Sequence, residues 1–265
     1  MRQVALSFLA HPDDAEILCA GTLIRLKDAG WEIHLATVTP GDCGTMDRNR
    51  WDISSVRTQE AAAAAKIIGA TYHCLDERDG LIVYDKPTIQ KTVDLFRRIT
   101  PSFVFTHAPR DYMVDHEQTS LLARGASFIF GAPNISMLPR HPESHVPYLY
   151  YCDPVEGVDP LGHPVTPTTW VDITAQMETK AKMLAAHASQ REWLRAHHGM
   201  DEYIESMKRG GAARGKEIGV TYAEGFVQHR GHPYPQDDLL ASLSGLGVSP
   251  ERVSKKSSGE TPKPH

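Results

Sequence analysis

Short apolar runs alternate along this chain with longer segments whose apolar residues recur every three or four positions. Val4 to Leu9 is an uninterrupted run ended by Pro12, which predicts a buried strand. Ala15 to Ala29 places Ile17, Leu18, Leu23, Ile24 and Leu26 on one helical face before Gly30. Ile33 to Val38 predicts a second strand, residues 40–50 a loop, and Ile53 to Ile68, with its alanine run, a helix closed by Gly69. The alternation continues with a strand at Tyr72 to Leu75, a helix at Ile89 to Arg98, a strand at Phe103 to Thr106 and a helix at His116 to Phe130. Parallel strands need crossover connections, and crossover helices cover the sheet. The pattern therefore predicts an α/β fold, Rossmann-like, with a mainly parallel sheet and helices on both faces. Ligands in such folds sit beyond the carboxyl ends of the strands.

From residue 131 to about 170 the chain is rich in proline and histidine, with strands expected at Tyr148 to Cys152 and Trp170 to Ile173. This reads as an elaborated region near the site. Helices are expected at Ala175 to Ala196, with Met177, Met183, Leu184 and Trp193 as core residues, and at Asp201 to Lys208. Beyond Leu246 the composition turns to Ser, Lys, Pro and Glu. The expected organisation is one α/β domain over residues 1–247, with a smaller C-terminal elaboration, and a disordered tail over 248–265.

Composition narrows the function. With 265 residues, 41% of them hydrophobic, the chain can bury a core without staples. A net charge of −5 gives no positive field for a nucleic-acid backbone, so no nucleic-acid partner is expected. Cys19, Cys43, Cys74 and Cys152 form no C-x-x-C pair, which fits a reducing compartment and leaves any zinc to other ligands. The apolar start is too short for a signal-peptide core, and no run approaches the ~18 apolar residues of a membrane span. A cytoplasmic protein with no membrane span is the expectation.

The chemistry concentrates in two segments. Ala10 to Glu16, AHPDDAE, puts His11, Asp13, Asp14 and Glu16 directly after the first strand. Asp13 and Glu16 also have capping-box spacing, so helix capping and a functional site explain this segment equally well on its own. The second segment shifts the balance: His107, Asp111, Asp115 and His116 follow the strand Phe103 to Thr106 and should emerge at the same sheet edge. A hydrolytic zinc takes three nitrogen or oxygen ligands and leaves one position open. His11, Asp14 and His116 supply that set. Asp13, whose side chain diverges from its neighbour, is then free to act as general base.

The strand followed by AHPDDAE, the D-x-x-x-D-H of Asp111, Asp115 and His116, and the helix bearing Arg57 and Glu60 resemble the PIG-L/LmbE-type zinc-dependent N-deacetylases. Weaker matches are the helix ending His187-Ala-Ser-Gln190 and the segment Tyr222 to Phe226. The resemblance implies Zn2+ on His11, Asp14 and His116, Asp13 as base, and Arg57 in substrate binding. It also implies removal of an acetyl group from an N-acetylglucosaminyl compound, the small-molecule partner, and a homo-oligomeric assembly. Without it, Arg57 reads as an ordinary ion pair with Glu60.

One departure stands out. The family's second motif commonly reads H-P-D-H, whose first histidine helps stabilise the oxyanion, whereas this chain has Met113-Val114-Asp115-His116. Either zinc alone stabilises the oxyanion, or Tyr112, Arg110 or a distant histidine such as His229 takes over, or the chain is slow or has changed substrate. A catalytically silent metal-binding protein is the alternative. Asp115 reads either as a partner of a metal ligand or as the N-cap of the His116 helix, and Asp111 as a further neighbour of the site. Gly210 to Glu217 nearly fits a P-loop but has Glu217 in place of Ser/Thr and follows a helix, so a nucleotide-binding reading is weak. His141, His145, His229 and His232 read as loop or surface residues.

Overall fold

The computed structural model describes residues 2–191, 202–243 and 247–248. The described strands form one eight-stranded sheet in the order β3-β2-β1-β4-β5-β7-β6-β8. They are β1 (Val4–Leu9), β2 (Glu32–Thr37), β3 (Thr71–Cys74), β4 (Phe103–Thr106), β5 (Tyr148–Cys152), β6 (Thr169–Asp172), β7 (Ala223–Gln228) and β8 (Gly247–Val248). The first five pair in parallel, and β7 runs antiparallel to both β5 and β6. The expected mainly parallel α/β sheet is what forms.

Alternation along β1 decides the two layers. Ala5 and Leu9 face one core with Phe103 and Phe105 of β4, while Val4, Leu6 and Phe8 face the other with Val104. On the first side pack α2 (Ala20–Asp28), α3 (Arg50–Ile67) and α6 (Met177–Ala185); on the second, α4 (Lys86–Ile99) and α5 (Val114–Ile129). Both faces of β1 are dry, which suits a continuous apolar run. The chain winds outward from β1 through β2 to β3 and crosses back to β4 on the other side of β1. The loops after β1 and β4 thus flank the point where the winding reverses, where an open α/β sheet gapes at its carboxyl edge.

Several expectations need correction. The helix expected over Ala15 to Ala29 is two helices, α1 (Asp14–Leu18) and α2, broken at Cys19. The restart has a cause: the Glu224 carboxylate accepts from Gly21 N and Thr22 N at 2.8 and 2.7 Å, so a distant strand caps α2. Lys180 Nζ, 2.5 Å from Glu224, balances that buried charge. The expected helix from Ala175 stops at Ala185 and leaves helical geometry before residues 188–191. Residues 192–196, with Trp193, lie outside the described residues, as do Asp201 and most of the expected tail. The following helix, α7 (Glu202–Ile218), runs well past Lys208 in spite of its glycines. β7 was masked in sequence by Glu224 and Gly225; a Cβ at Gly225 would lie 2.5 Å from Asp153 Oδ2, so only glycine fits. The last described helix is α8 (Leu239–Ser242). All four cysteines are free.

Candidate metal and catalytic site

The AHPDDAE segment turns sharply out of β1 because Asp13 takes φ 105°, ψ −26°, a left-handed conformation costly for a residue with a side chain. Its carboxylate makes no capping bond, so the capping reading of Asp13 fails. Instead Oδ2 accepts from Tyr203 Oη at 2.6 Å and Arg57 Nη2 at 3.1 Å. Arg57 also donates to the carbonyls of Pro12 and Gly41 at 2.7 and 3.2 Å, locking the turn from behind. Glu60 is not the partner of Arg57; it accepts from Ser189 N and Oγ. Burial raises the Asp13 carboxyl, opposed by the charges of Arg57 and His187 and by the Tyr203 hydroxyl.

His11, Asp14 and His116 are buried and place one ligand atom each within 4.8 Å of one another. His11 comes from the loop after β1, Asp14 from the first residue of α1 and His116 from the first turn of α5, so the structure brings the two sequence segments together. His116 Nδ1 is fixed by Asp111 Oδ1 at 2.9 Å, while its buried Nε2 has no hydrogen-bond partner and lies 3.7 Å from Asp14 Oδ1. His11 Nδ1 lies 3.4 Å from Asp14 Oδ2, and its Nε2 is 3.1 Å from Asp79 Oδ1 and 3.4 Å from Asp115 Oδ2. Each histidine therefore has a carboxylate behind it and a nitrogen in front, the arrangement that orients imidazoles toward a metal. Burial works against charging His11, yet Asp115, Asp14 and Asp79 raise it well above its ordinary value. A divalent cation would satisfy the same negative field, and the orphaned His116 nitrogen, better than shared protons.

His107 completes the floor. Its ring stacks on His116 with centroids 3.8 Å apart, and Nε2 accepts from Ala10 N at 3.0 Å. Burial and the nearby His116 push it down to about 4, so it stays neutral. Asp115 is no N-cap: its carboxylate accepts from Gly80 N and Ile82 N at 2.6 and 3.2 Å, tying α5 to the loop after β3.

These groups open into a cavity of about 510 Å³, lined also by Met113, Tyr112, Gln190 and Val155. Tyr112 is 63% exposed and sets its ring edge-on to His116. Burial, with Asp14 and Asp111, pushes its phenol up to about 12, so it keeps a donating hydroxyl at neutral pH. His229 does not line this cavity. β7 runs antiparallel to β5, so His229 N reaches Leu149 O near the start of β5, and its ring bonds Tyr151 Oη and abuts Tyr234. Arg110 is exposed and outside the lining too. Sequence reasoning missed Tyr203, Asp79 and the pairing of Glu16 with the buried His187, whose Nε2 is 3.5 Å away. Asp79 had one available signal: it follows β3, a third strand ending at the same edge.

Residues 6–127 match the family described as PIG-L, GlcNAc-PI de-N-acetylase. A 4-oxalmesaconate hydratase of Pseudomonas putida is 26% identical over 235 residues, covering 86% of this chain and 87% of its own. The diacetylchitobiose deacetylase of Thermococcus kodakarensis is 28% identical over 193 residues, 68% of this chain and 67% of its own. The solved N,N'-diacetylchitobiose deacetylase of Pyrococcus horikoshii has the same fold, with a TM-score of 0.75 at 25% identity over 89% of this chain and 88% of that one. Residues 6–127 thus form a PIG-L family domain.

Proposed function

We propose that this protein is a zinc-dependent N-deacetylase that removes the acetyl group from an N-acetylglucosaminyl-type compound. The observation that carries the reading is the orphaned, buried Nε2 of His116, whose ring Asp111 holds at Nδ1, grouped with Asp14 and His11 beside a separately anchored Asp13. When bound there, zinc supplies a Lewis acid that acidifies a water and polarises the amide carbonyl. Asp13 has Oδ2 engaged by Tyr203 and Arg57, which leaves Oδ1 to take the water proton and return it to the leaving amine. Tyr112 replaces the oxyanion histidine lost at Met113, since both line the cavity and the tyrosine retains its proton. Arg57 serves the substrate indirectly, because its guanidinium is buried and engaged by the turn.

The hydratase relative suggests a second reading, in which the same centre adds water to an unsaturated acid. The cavity argues against it: among the described residues lining it, Arg57 is the one Lys or Arg, and both of its terminal nitrogens are engaged by Gly41, Pro12 and Asp13. Carboxylates arriving there would find Asp13, Asp14 and Asp79 instead. Among the described residues no helix is long and apolar enough to cross a membrane. The test is acetate release from a panel of N-acetylglucosaminides by the zinc-loaded protein, run beside hydration of an unsaturated dicarboxylate. The reading expects acetate and no hydration; hydration alone would replace it with the second.

A further inference from the structure

Beside the candidate site lies a second cavity, of about 390 Å³. Ile17, Leu18 and Val155 line both, so the two hollows adjoin at α1 and at the turn after β5. Most of the far wall is one face of α7, including Met207, Gly210 and Ala213. Two ion pairs in this wall are complete. Lys180 pairs with Glu224 at 2.5 Å, and Arg214 grips both oxygens of Asp153 at 2.6 and 3.1 Å; Glu156 and Arg209 are exposed.

Three glycines interrupt α7, each costing roughly 1 kcal/mol against alanine in a helix interior. Two have a packing reason. A Cβ at Gly215 would lie 2.7 Å from the carbonyls of Val220 and Thr221, and one at Gly211 would lie 3.1 Å from Met177 Cε. At Gly210 a Cβ would meet nothing within 4 Å, and this is the glycine of the Gly210-Gly211 pair that relieves no contact although both line the hollow. The missing side chain at 210 keeps space open. The glycine-rich segment that imitates a P-loop in sequence is a helix face bordering a cavity.

We propose that this hollow is a subsite for a neutral, apolar group at the far end of the substrate, an alkyl or aryl aglycone lying across Ile17, Leu18 and Val155. The placement of the acetamide end rests on the deacetylase reading; the hollow and its preference do not. Against Lys180–Glu224 and Arg214–Asp153 an ionic group would meet pairs that are already complete, whereas an apolar one gains from leaving water.

The experiment compares calorimetric binding of methyl and hexyl β-D-glucoside, which lack an acetamide, to the purified full-length protein, its Gly210→Phe and Ala213→Phe variants, and Gly210→Ala as the folding control. The hexyl compound should bind at least about tenfold more tightly than the methyl one, a fraction of what five further buried methylenes could supply. Both phenylalanine variants should erase that gain, and Gly210→Ala should keep it. Equal affinities in the unmodified protein, no measurable hexyl binding, or a gain that survives both phenylalanines would overturn the proposal. Acetate release from the matching N-acetylglucosaminides separates the two ideas: no release, with the hexyl preference intact, defeats the deacetylase reading alone.

Discussion

The hydroxyl of Tyr203 donates to Oδ2 of Asp13 across 2.6 Å, joining residues 190 positions apart. With Arg57 on the same oxygen, it holds the carboxylate in one rotamer although the backbone beneath is strained. Tyr203→Phe removes one hydrogen bond to a charged acceptor, worth about 1.5–3 kcal/mol. The expected outcome is a kcat lower by about 10- to 100-fold with zinc content unchanged, measured by acetate release and metal analysis. An unaltered kcat would show that Arg57 alone positions the base.

Asp111 is predicted to matter through His116. Because its Oδ1 fixes the imidazole from the Nδ1 side, Asp111→Asn should weaken zinc binding by about 10- to 100-fold, read by competition with a chromogenic chelator. His116→Ala, which removes the ligand itself, should abolish stoichiometric binding. Unchanged affinity in Asp111→Asn would remove Asp111 from the account.

Crowding behind Arg57 gives a third prediction. A Cβ at Gly44 would lie 2.4 Å from Arg57 Nη1. Nη2 of the same guanidinium holds both Pro12 O and Asp13, so it cannot swing away without releasing the base. Gly44→Ala should lower kcat by about tenfold while the melting temperature changes little, since the clash is with a side-chain end rather than backbone. Wild-type kinetics would mean that Arg57 is not needed in this pose.

Away from the site, His73 is half-buried against His34, their nitrogens 2.9 Å apart. Burial, with the charges of His34 and Arg98, pushes His73 down to about 4. Between that value and the unfolded histidine's ~6.5 the unfolded chain binds the extra proton, so stability falls as pH drops through this window. Chemical denaturation from pH 7 to pH 4 should show the decline, and His73→Gln should flatten it. Parallel curves for the two proteins would refute the assignment.

What was legible in the sequence was local. Val4 to Leu9 reads as a buried strand because both its faces are dry, and His11, Asp14 and His116 follow strands whose carboxyl ends any parallel sheet brings to one edge. The partners of those residues were not legible. Tyr203 reaches the site from a helix far along the chain, His187 pairs with Glu16 from the break after α6, and Glu224 caps α2 over some two hundred residues; no periodicity encodes such contacts. Of the two readings of Asp115, its position in the first turn of α5 allows the cap, but its carboxylate crosses to the loop at Gly80 and lies 3.4 Å from His11 Nε2. His229 is a candidate donor by residue type, and the antiparallel run of β7 carries it away from the cavity.

The central claim is that metal holding and proton transfer fall to different residues of one turn, Asp14 and Asp13. Asp13→Asn tests it most directly, with zinc content and acetate release measured on the same preparation. The account predicts about one zinc per chain, as in the unmodified protein, with release from an N-acetylglucosaminide reduced by about 10²–10⁴-fold. Zinc retained with a near-normal rate would contradict it, because Asp13 would then be no more than the hinge of a strained turn.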